Sequence, residues 1–374
     1  MKGEIMQGGV EIAFFGSSLV SAYWNGAATY YRGILGALAE RGHQITFYEP
    51  DAYGRQEHRD IPDPEWARVV VYSAEGFDGV DAALEDAAQA DLVVKASGVG
   101  VFDQYLEREV LSLKRPGVGV IFWDVDAPAT LERVEGDRED PFRRAIPDYD
   151  LVLTYGGGAP VVESYSALGA RRTVPIYNAL DPNTHFPVEP DPEYEGVLGF
   201  LGNRLPDREA RVEEFFLGVA EGLPLREFVL GGSGWDERAL PSNVRYLGHI
   251  YTGAHNHFNS SSLAVLNINR SSMARIGHSP PTRIFEAAGA GACIISDSWP
   301  GLEEFLEPGR EVLTASSGAE VSAHLEALSA SEAGEIGAAA RARVLAEHTY
   351  DQRALAVEAE LDLSLGHLWR GVRV

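Results

Sequence analysis

Two arginines flank the start of a predicted helix in the segment GNRLPDR, residues 202–208. Arg204 and Arg208 are four residues apart, and cations at a helix N-terminus oppose the helix dipole. They make better physical sense beside an anion, because a guanidinium group can hold phosphate oxygens with two parallel hydrogen bonds. The pattern therefore predicts a phosphate-binding loop. Pairing of these arginines with Asp207 or Glu209 is the structural alternative.

A second polar loop follows a predicted strand that ends at Ile268. Pro280 and Pro281 mark a helix start after this loop, and the N-terminus of that helix can hold a phosphate. The polar residues of interest in the loop after Ile268 and in the helix that follows it are Asn269, Arg270, Arg275, His278, Thr282 and Arg283.

A third loop of interest follows the predicted strand 228–230, which runs into a Gly-Gly-Ser-Gly turn.

Glu286 lies on the helix that begins after the two prolines. Its carboxylate can accept hydrogen bonds from two hydroxyl groups, such as those of a ribose diol. It is flanked by Phe285 and followed by Ala-Ala-Gly-Ala-Gly, so it does not stand in a charged surface pattern. Small residues let a helix lie close to a strand or a ligand. An exposed helix acid is the structural alternative for Glu286.

The first predicted strand, 11–15, runs into the loop GSSLVSAYWNG, residues 16–26. Its small residues and the backbone N–H groups at the following helix N-terminus suit an anion or a hydroxyl group. The loop lacks G-x-G-x-x-G, the fingerprint of dinucleotide binding, which disfavours a nicotinamide dehydrogenase. A tight turn between strand and helix is the alternative. The candidate binding residues here are Ser17, Ser18, Trp24, Asn25 and Gly26. The indole of Trp24 could stack on a sugar or aglycone.

Two carboxylates, Asp124 and Asp126, follow a predicted strand over residues 118–123. Either could be a general base toward a hydroxyl group, whereas a turn or a helix cap is the structural alternative. Asp124-Val125-Asp126 does not behave as a clear metal clamp. His255 and His257 are two residues apart on a predicted helix, where side chains diverge, so no metal site is expected from them.

The charge balance excludes classes of partner. The chain has 31 basic and 56 acidic residues and a formal net charge of −25. Such a surface repels polyanions, so a protein that binds a nucleic-acid backbone or anionic lipid is not expected. A small anionic ligand is still allowed where arginines cluster locally.

The single cysteine, Cys293, excludes a disulfide framework within these 374 residues and any site built from several thiolates. No stretch approaches the roughly 20 apolar residues needed to span a bilayer. The N-terminal apolar run is too short for a signal peptide. We therefore expect a cytoplasmic protein without a membrane segment.

Short β-rich segments alternate with helical ones in both halves of the chain, which predicts right-handed βαβ units on parallel sheets. The fold class predicted is α/β, with two Rossmann-like, doubly wound domains that face a cleft and a helical C-terminal tail. Ligands of such sheets bind beyond the carboxyl ends of the strands. The proline-rich and acidic segment 178–195 is predicted to be a linker. The other strands predicted are 44–48, 69–72, 92–95, 151–154, 173–176, 197–201, 244–247, 263–268, 293–296 and 311–313.

The run PPTRIFEAAGAGACIISDSWPGLEEFLEPGREVL, residues 280–313, resembles the GT-B fold glycosyltransferases and, among them, the CgeB-like (spore-maturation type) glycosyltransferase family. NALDPNTHF, residues 178–186, is similar to a segment that follows the linker in many GT-B enzymes. GNRLPDR looks like their phosphate-binding Gly-Arg-x-x-x-x-Lys motif. The resemblance covers the second half of the chain by motif and the first half only by architecture.

The resemblance implies an N-terminal acceptor domain over 1–178, a C-terminal donor domain over 179–349, and a helix over 350–374 that crosses back to the first domain. Glu286 would bind the ribose of a nucleotide-diphosphate sugar such as a UDP-sugar, and Arg204 and Arg208 its pyrophosphate. His278 stands where many retaining relatives have a glutamate that contacts the sugar, which leaves the sugar and the stereochemistry open. The implied donor-binding residues are Arg204, Arg208, Gly232, Asn269, Arg275, Thr282, Arg283 and Glu286, and the catalytic candidates are Asp124, Asp126 and His278.

The function expected is transfer of a sugar, of the hexosyl type, from a nucleotide-diphosphate sugar to an unidentified acceptor hydroxyl. Arginines and helix N-termini would stabilise the leaving phosphate without a metal or another cofactor. A GT-B fold nucleotide-sugar 2-epimerase and a non-catalytic binding protein for a nucleotide or sugar are the alternatives.

Overall fold

The computed structural model describes residues 9–369, which fold into two compact units. Unit 1 runs to Tyr177 and includes the segment from Tyr350 onward, and unit 2 is Asn178–Thr349. Each unit is built on one parallel sheet, as the alternating strands and helices predict. None of the helices described is long and apolar enough to cross a membrane.

Unit 1 has a sheet of seven strands, all parallel, in the order β3-β2-β1-β4-β5-β6-β7. The central strands are mostly apolar and buried, as expected for a parallel sheet that is covered by helices on both faces. The strand order reverses between β1 and β4, the position at which doubly wound sheets bind ligands. The strands are β1 Glu11–Phe15, β2 Gln44–Asp51, β3 Ala67–Ser73, β4 Leu92–Ala96, β5 Gly119–Asp124, β6 Leu151–Thr154 and β7 Thr173–Pro175.

The helices of unit 1 follow these strands, and most of them connect one strand to the next. They are α1 Ala28–Glu40, α2 Asp78–Ala87, α3 Asp103–Glu109, α4 Ala127–Gly136, α5 Pro141–Ala145 and α6 Gly158–Ala167.

Unit 2 repeats this plan with six parallel strands in the order β10-β9-β8-β11-β12-β13. Its strand order reverses between β8 and β11. The strands are β8 Gly196–Leu201, β9 Phe228–Gly231, β10 Val244–Tyr246, β11 Ser262–Asn267, β12 Ile294–Asp297 and β13 Leu313–Ala315.

The helices of unit 2 include one interruption, a π-helical turn over Glu213–Leu217 between α7 and α8. That turn places Phe215 and Phe216 in the core. The helices are α7 Pro206–Val212, α8 Gly218–Gly222, α9 His255–Ser261, α10 Ser271–Ile276, α11 Thr282–Gly289, α12 Gly318–Ala327 and α13 Ala330–Glu347.

The final helix, α14 Tyr350–Trp369, belongs to unit 1 and packs on α1. Glu358 accepts hydrogen bonds from Arg41 and lies 3.0 Å from the Nε2 atom of His43. A Cβ atom on Gly33 of α1 would lie 2.1 Å from the Tyr350 ring, so glycine is what allows this close approach.

Three local predictions were wrong. Segment 178–195 is not a linker but part of unit 2, because Ala179, Leu180 and His185 are buried there and the Leu180 N–H donates to the His348 carbonyl oxygen. The polar loop after Ile268 contains a short helix, α10. The last strand begins at Leu313, because the buried Glu311 side chain instead accepts the N–H of Glu307 in the preceding turn.

Candidate functional site

Two glycine-containing loops meet at the carboxyl edge of the sheet in unit 2. A Cβ atom on Gly232, whose φ is +119°, would lie 2.4 Å from the carbonyl group of Gly202. The Gly232 N–H donates to the Gly248 carbonyl oxygen at 2.7 Å. Gly232 therefore lets the loops after β8 and β9 touch, and its N–H is already used within this arrangement.

Arg208 of α7 and Arg283 of α11 converge on these loops. Their guanidinium carbons lie 5.5 and 5.3 Å from the centroid of the Phe200 ring. A Cβ atom on Gly202 would lie 2.8 Å from the Arg208 Nη2 atom and 3.1 Å from the Arg283 Nη2 atom. Because Gly202 has no side chain, both guanidinium groups can lie against the backbone at the end of β8.

Neutral oxygens hold both arginines. Arg208 Nη2 donates to the Asn203 carbonyl oxygen at 2.6 Å. Arg283 Nε donates to the Leu201 carbonyl oxygen at 2.9 Å, and its Nη1 donates to Asn267 Oδ1 at 3.2 Å. Among residues 9–369, neither guanidinium group forms an ion pair with a carboxylate.

The electrostatics match this geometry. Burial, together with the neighbouring Arg283 charge, lowers the pKa of Arg208 to about 9. Burial also lowers the pKa of Arg283, and the charges of Glu286 and Asp297 oppose that shift only in part. The site therefore holds positive charge that the protein does not neutralise at contact distance, and an anion bound there would stabilise both charged forms.

The remaining arginines of the predicted cluster differ from this pair. Arg204 donates to Glu209 at 2.7 Å, and Arg270 Nε lies 3.1 Å from Asp207 Oδ2. Arg275 is exposed on α10. The alternative pairing of Arg204 with Glu209 is thus present in the structure, and Arg208 is the member of the GNRLPDR segment that is buried.

Asn269, at the carboxyl end of β11, is a further polar group with unused hydrogen-bonding capacity. It is 1% exposed, and neither its side-chain oxygen nor its nitrogen has a partner within the described part of the chain. Its backbone N–H faces the carboxylate of Asp297, at 3.2 Å from Oδ2. A buried amide without partners is destabilising, so this side chain is well suited to contact a ligand.

His278 has a backbone conformation that is rare for histidine, with φ at +47°. Its N–H donates to the Pro300 carbonyl oxygen, and its Nδ1 atom lies 2.8 Å from Glu304 Oε1. A Cβ atom on Gly301 would lie 2.3 Å from that Nδ1 atom, so the glycine makes room for the ring. Such strain persists where the surroundings fix it and is concentrated at functional sites.

Thr282 and Glu286 stand on α11, as predicted. Thr282 Oγ1 accepts a hydrogen bond from Asn178 Nδ2 at 3.1 Å. Glu286 Oε1 lies 3.8 Å from the Nε2 atom of His185, and His255 is close to both. Burial lowers the pKa of His255, although the Glu286 charge opposes this. No sequence spacing points to this group, because its members come from three distant segments.

The loop after β1 in unit 1 is held by its own side chains. Ser17 Oγ donates to Asn25 Oδ1 at 2.9 Å, and Asn25 Nδ2 donates to the Ser18 carbonyl oxygen at 2.9 Å. Ser18 Oγ donates to Glu49 at 3.0 Å. All four side chains are buried, so their visible role is to shape the loop, and their contact with an acceptor stays a prediction.

Trp24 and Gly26 are the exposed candidates of this loop. Trp24 is 66% exposed and has a φ of +49°, which is strained for a bulky side chain. Next to it, the Tyr23 ring stacks on His58 with the centroids 4.1 Å apart. An indole held in this way presents a face to solvent on which a sugar ring or an aromatic group can stack.

The two candidate bases have different surroundings. Asp124, at the end of β5, is fully buried and accepts hydrogen bonds from Ser97, Thr130, Tyr165 and the Asp126 N–H. Burial raises its pKa. Asp126 precedes α4 and is partly exposed, so it is the better placed of the two to reach a substrate. Both catalytic roles stay predictions.

Residues 208–359, which include Arg208, Arg283 and Glu286, match the family model described as glycosyl transferase-like. The fold is that of the GT-B glycosyltransferases. This fits the two parallel sheets and the helix α14 that returns to unit 1. No curated protein matches the chain.

Solved structures with this GT-B fold cover nearly the whole chain at low sequence identity. Sucrose-phosphate synthase from Thermosynechococcus elongatus is 13% identical with a TM-score of 0.70, over 96% of this chain and 99% of that one. HepE from Anabaena, solved with UDP and glucose, is 13% identical with a TM-score of 0.67, over 95% and 100%. AviGT4, a glycosyltransferase of avilamycin A biosynthesis, is 18% identical with a TM-score of 0.60, over 96% and 98%.

Proposed function

We propose that the protein is a glycosyltransferase that transfers a hexosyl group from a nucleotide-diphosphate sugar to an acceptor hydroxyl group. One observation carries the proposal. Arg208 and Arg283 lie together against Gly202 without a carboxylate partner, at the strand ends where α/β sheets bind ligands. We assign the diphosphate of the donor to this pair. The CgeB-like subfamily is part of the same proposal.

The chemistry follows from charge. As the bond from the anomeric carbon to the donor phosphate breaks, negative charge grows on the leaving diphosphate. Guanidinium groups already fixed by Leu201, Asn203 and Asn267 stabilise that charge without reorganising, and the N-terminus of α11 adds its dipole. The transfer step therefore needs no metal ion in this proposal.

We assign the neighbouring polar groups to contacts with the ribose, the phosphate and the sugar of the donor. Glu286 accepts the ribose hydroxyl hydrogens, and the unpartnered amide of Asn269 and the strained His278 contact the phosphate or the sugar. UDP is the nucleotide that we favour, because HepE, which has the same fold, is a complex with UDP and glucose. His278 in place of an acid leaves inversion and retention equally open.

The acceptor belongs to unit 1 in this proposal. Trp24 offers a stacking surface, and Asp126 is the general base if the reaction inverts the anomeric carbon. Because the net charge is −25, we do not expect a nucleic acid as the acceptor. A cytoplasmic location is part of the same proposal.

A nucleotide panel tests the proposal directly. Isothermal titration with UDP, GDP, dTDP and ADP should give one diphosphate that binds, and Arg208→Ala and Arg283→Ala should each weaken it by about 1–3 kcal/mol. Arg310→Ala, which changes an exposed arginine of unit 2, is the control. Binding that is the same in all variants would overturn the donor assignment.

Donor turnover separates the alternatives. A glycosyltransferase without its acceptor should slowly hydrolyse the matching nucleotide sugar to the nucleotide diphosphate and an unaltered sugar. Release of a sugar epimerised at C2 would instead identify an epimerase. Tight binding with no turnover for any donor and any acceptor in a library would identify a binding protein.

A further inference from the structure

Three potential metal ligands from distant parts of unit 2 converge. His185 lies in the segment before β8, His255 is the first residue of α9, and Glu286 is on α11. One ligand atom from each lies within 4.8 Å of the others. The Nε2 atom of His185 lies 3.8 Å from Oε1 of Glu286. His185 is buried, and the other two are partly buried.

The hydrogen bonds around His185 allow its proton to be assigned. We assign the Thr184 hydroxyl proton to the Asp181 carbonyl oxygen, 3.2 Å away, so that the Thr184 oxygen accepts from His185 Nδ1, 2.9 Å away. With the proton on Nδ1, Nε2 carries a lone pair. That Nε2 atom is buried and has no hydrogen-bond partner among residues 9–369.

In His255 the two ring nitrogens have the opposite roles: Nε2 carries the proton and Nδ1 the lone pair. Its Nε2 atom lies 3.3 Å from the Ile250 carbonyl oxygen, which can only accept, so Nε2 carries the proton. Nδ1 then has the lone pair, and it too is buried without a partner. A backbone carbonyl on the far nitrogen is the usual way to orient a histidine ligand.

The result is a cluster of hydrogen-bond acceptors for which the described residues supply no donor. Two imidazole lone pairs and a carboxylate lie near one another in a largely buried place, where such groups repel one another unless a cation or a donor lies between them. We propose that His185, His255 and Glu286 bind one transition-metal cation of the zinc class. Nitrogen ligands favour Zn²⁺ or Co²⁺ over Mg²⁺ or Ca²⁺.

The geometry needs only a small adjustment. Zinc ligands at about 2.0–2.2 Å in a tetrahedron lie about 3.4 Å apart, so the groups must approach by roughly 1 Å. The backbone around them is held: Asn256 Nδ2 donates to the Thr184 carbonyl oxygen at 2.9 Å. A Cβ atom on Gly289 would lie 3.0 Å from the His185 carbonyl oxygen, so α11 packs tightly on this segment. Three protein ligands leave the fourth position open.

The site has a consequence for the proposed function. Glu286 is the residue that we assign to the donor ribose, so metal and donor would compete for the same carboxylate. This competition rests on the proposed function, whereas the metal site itself does not. Zinc would then be an inhibitor of the enzyme and not a cofactor of transfer.

Metal binding is tested on the full-length protein after treatment with a chelator and without nucleotide. We expect stoichiometric Co²⁺ binding with the visible absorption of a tetrahedral complex, displaced by Zn²⁺ in isothermal titration. His185→Gln, His255→Gln and Glu286→Gln should each weaken Zn²⁺ binding roughly tenfold or more. His257→Gln, which changes a histidine on the same helix outside the cluster, should leave it unchanged.

Thermal unfolding shows whether each variant is folded and whether Zn²⁺ stabilises it. Zn²⁺ should raise the Tm of the wild type and of His257→Gln but not of the three ligand variants. Absence of Zn²⁺ binding by the wild type, or equal binding by folded ligand variants, would overturn the site. If Zn²⁺ binds as expected but UDP affinity is the same with and without it, the metal site stands and the assignment of Glu286 to the ribose fails.

Discussion

Arg208 and Arg283 place their guanidinium groups on the same ring, that of Phe200, and against the same glycine, Gly202. Arg208 is buried and Arg283 is partly buried, and two such positive charges without a carboxylate at contact distance among residues 9–369 are destabilising for the folded protein alone. The pair is therefore explained better by a ligand than by packing. This relationship gives a prediction in which stability and binding change in opposite directions.

Arg208→Met should make the ligand-free protein more stable. The substitution keeps an apolar side chain on Phe200 and removes a charge whose pKa is lowered to about 9 by burial and by Arg283. We expect the free energy of unfolding of unit 2 to rise by about 1 kcal/mol or more. Urea unfolding without ligand measures it.

The same variant should lose most of its stabilisation by UDP. In the wild type a ligand at 100 times its Kd adds about 2.7 kcal/mol, and the shift in Arg208→Met should be much smaller at the same UDP concentration. Arg310→Met is the matched control, because Arg310 is exposed and pairs with Glu307. A less stable variant with full UDP stabilisation would give Arg208 a structural role only.

Asp297 should make stability depend on pH. Burial raises its pKa to about 6, against about 3.9 in an unfolded chain, so the folded protein binds more protons than the unfolded one between these values. The free energy of unfolding therefore falls as the pH rises through this window, by about 3 kcal/mol from this group. The contribution is fully present below pH 4 and is lost above pH 6.

Asp297→Asn isolates this effect. The variant cannot ionise, so its free energy of unfolding relative to the wild type should increase by about 3 kcal/mol between pH 4 and pH 7. Urea unfolding of both proteins at several pH values measures the difference. A difference that does not change with pH would mean that Arg211, which donates to this carboxylate, fully offsets the burial.

The helix α14 should contribute to the stability of unit 1 through Glu358. This carboxylate meets Arg41 and His43, and removal of one partner from a largely buried ion pair is costly. We expect Glu358→Ala to lower the free energy of unfolding by about 2–4 kcal/mol at pH 7. Glu360→Ala on the same helix removes a pair with the more exposed Arg172 and should cost under about 1 kcal/mol. Equal costs would contradict this difference.

The sequence was sufficient for the architecture because it rests on local patterns. Short, mostly apolar strands, most of them followed by a helical segment, predict two doubly wound sheets without any knowledge of contacts. The same reasoning failed for segment 178–195. Its prolines and acids are typical of a linker, but Leu180 and His185 are buried within unit 2. These contacts join residues that are distant in the sequence, so no local pattern predicts them.

The candidate site could be predicted only where its residues follow strands. Arg208, Arg283 and Glu286 could be predicted because they lie on helices that begin after a strand and a loop. The sequence could not show that Arg208 is buried and Arg204 only partly so, since both occupy the same kind of position. Sequence spacing groups His255 with its neighbour His257, whereas its partners in space, His185 and Glu286, lie 70 and 31 residues away.

The two aspartates after β5 should separate a catalytic role from a structural one. Asp126 is partly exposed, whereas Asp124 is buried and accepts four hydrogen bonds. If Asp126 is the base, Asp126→Asn should lower turnover of the donor by roughly 100-fold or more while UDP affinity stays the same. Asp124→Asn keeps an acceptor for Ser97 and Thr130 and should retain turnover.

Release of UDP from the nucleotide sugar, together with titration of UDP, measures both effects without knowledge of the natural acceptor. Asp124→Ala, in contrast, leaves buried donors unpaired and should lower the free energy of unfolding by about 2 kcal/mol or more. If Asp124→Asn folds normally and loses as much turnover as Asp126→Asn, the buried carboxylate takes part in the reaction. If neither variant loses turnover, the reaction has no base in this loop, and a retaining reaction that uses His278 becomes the better description.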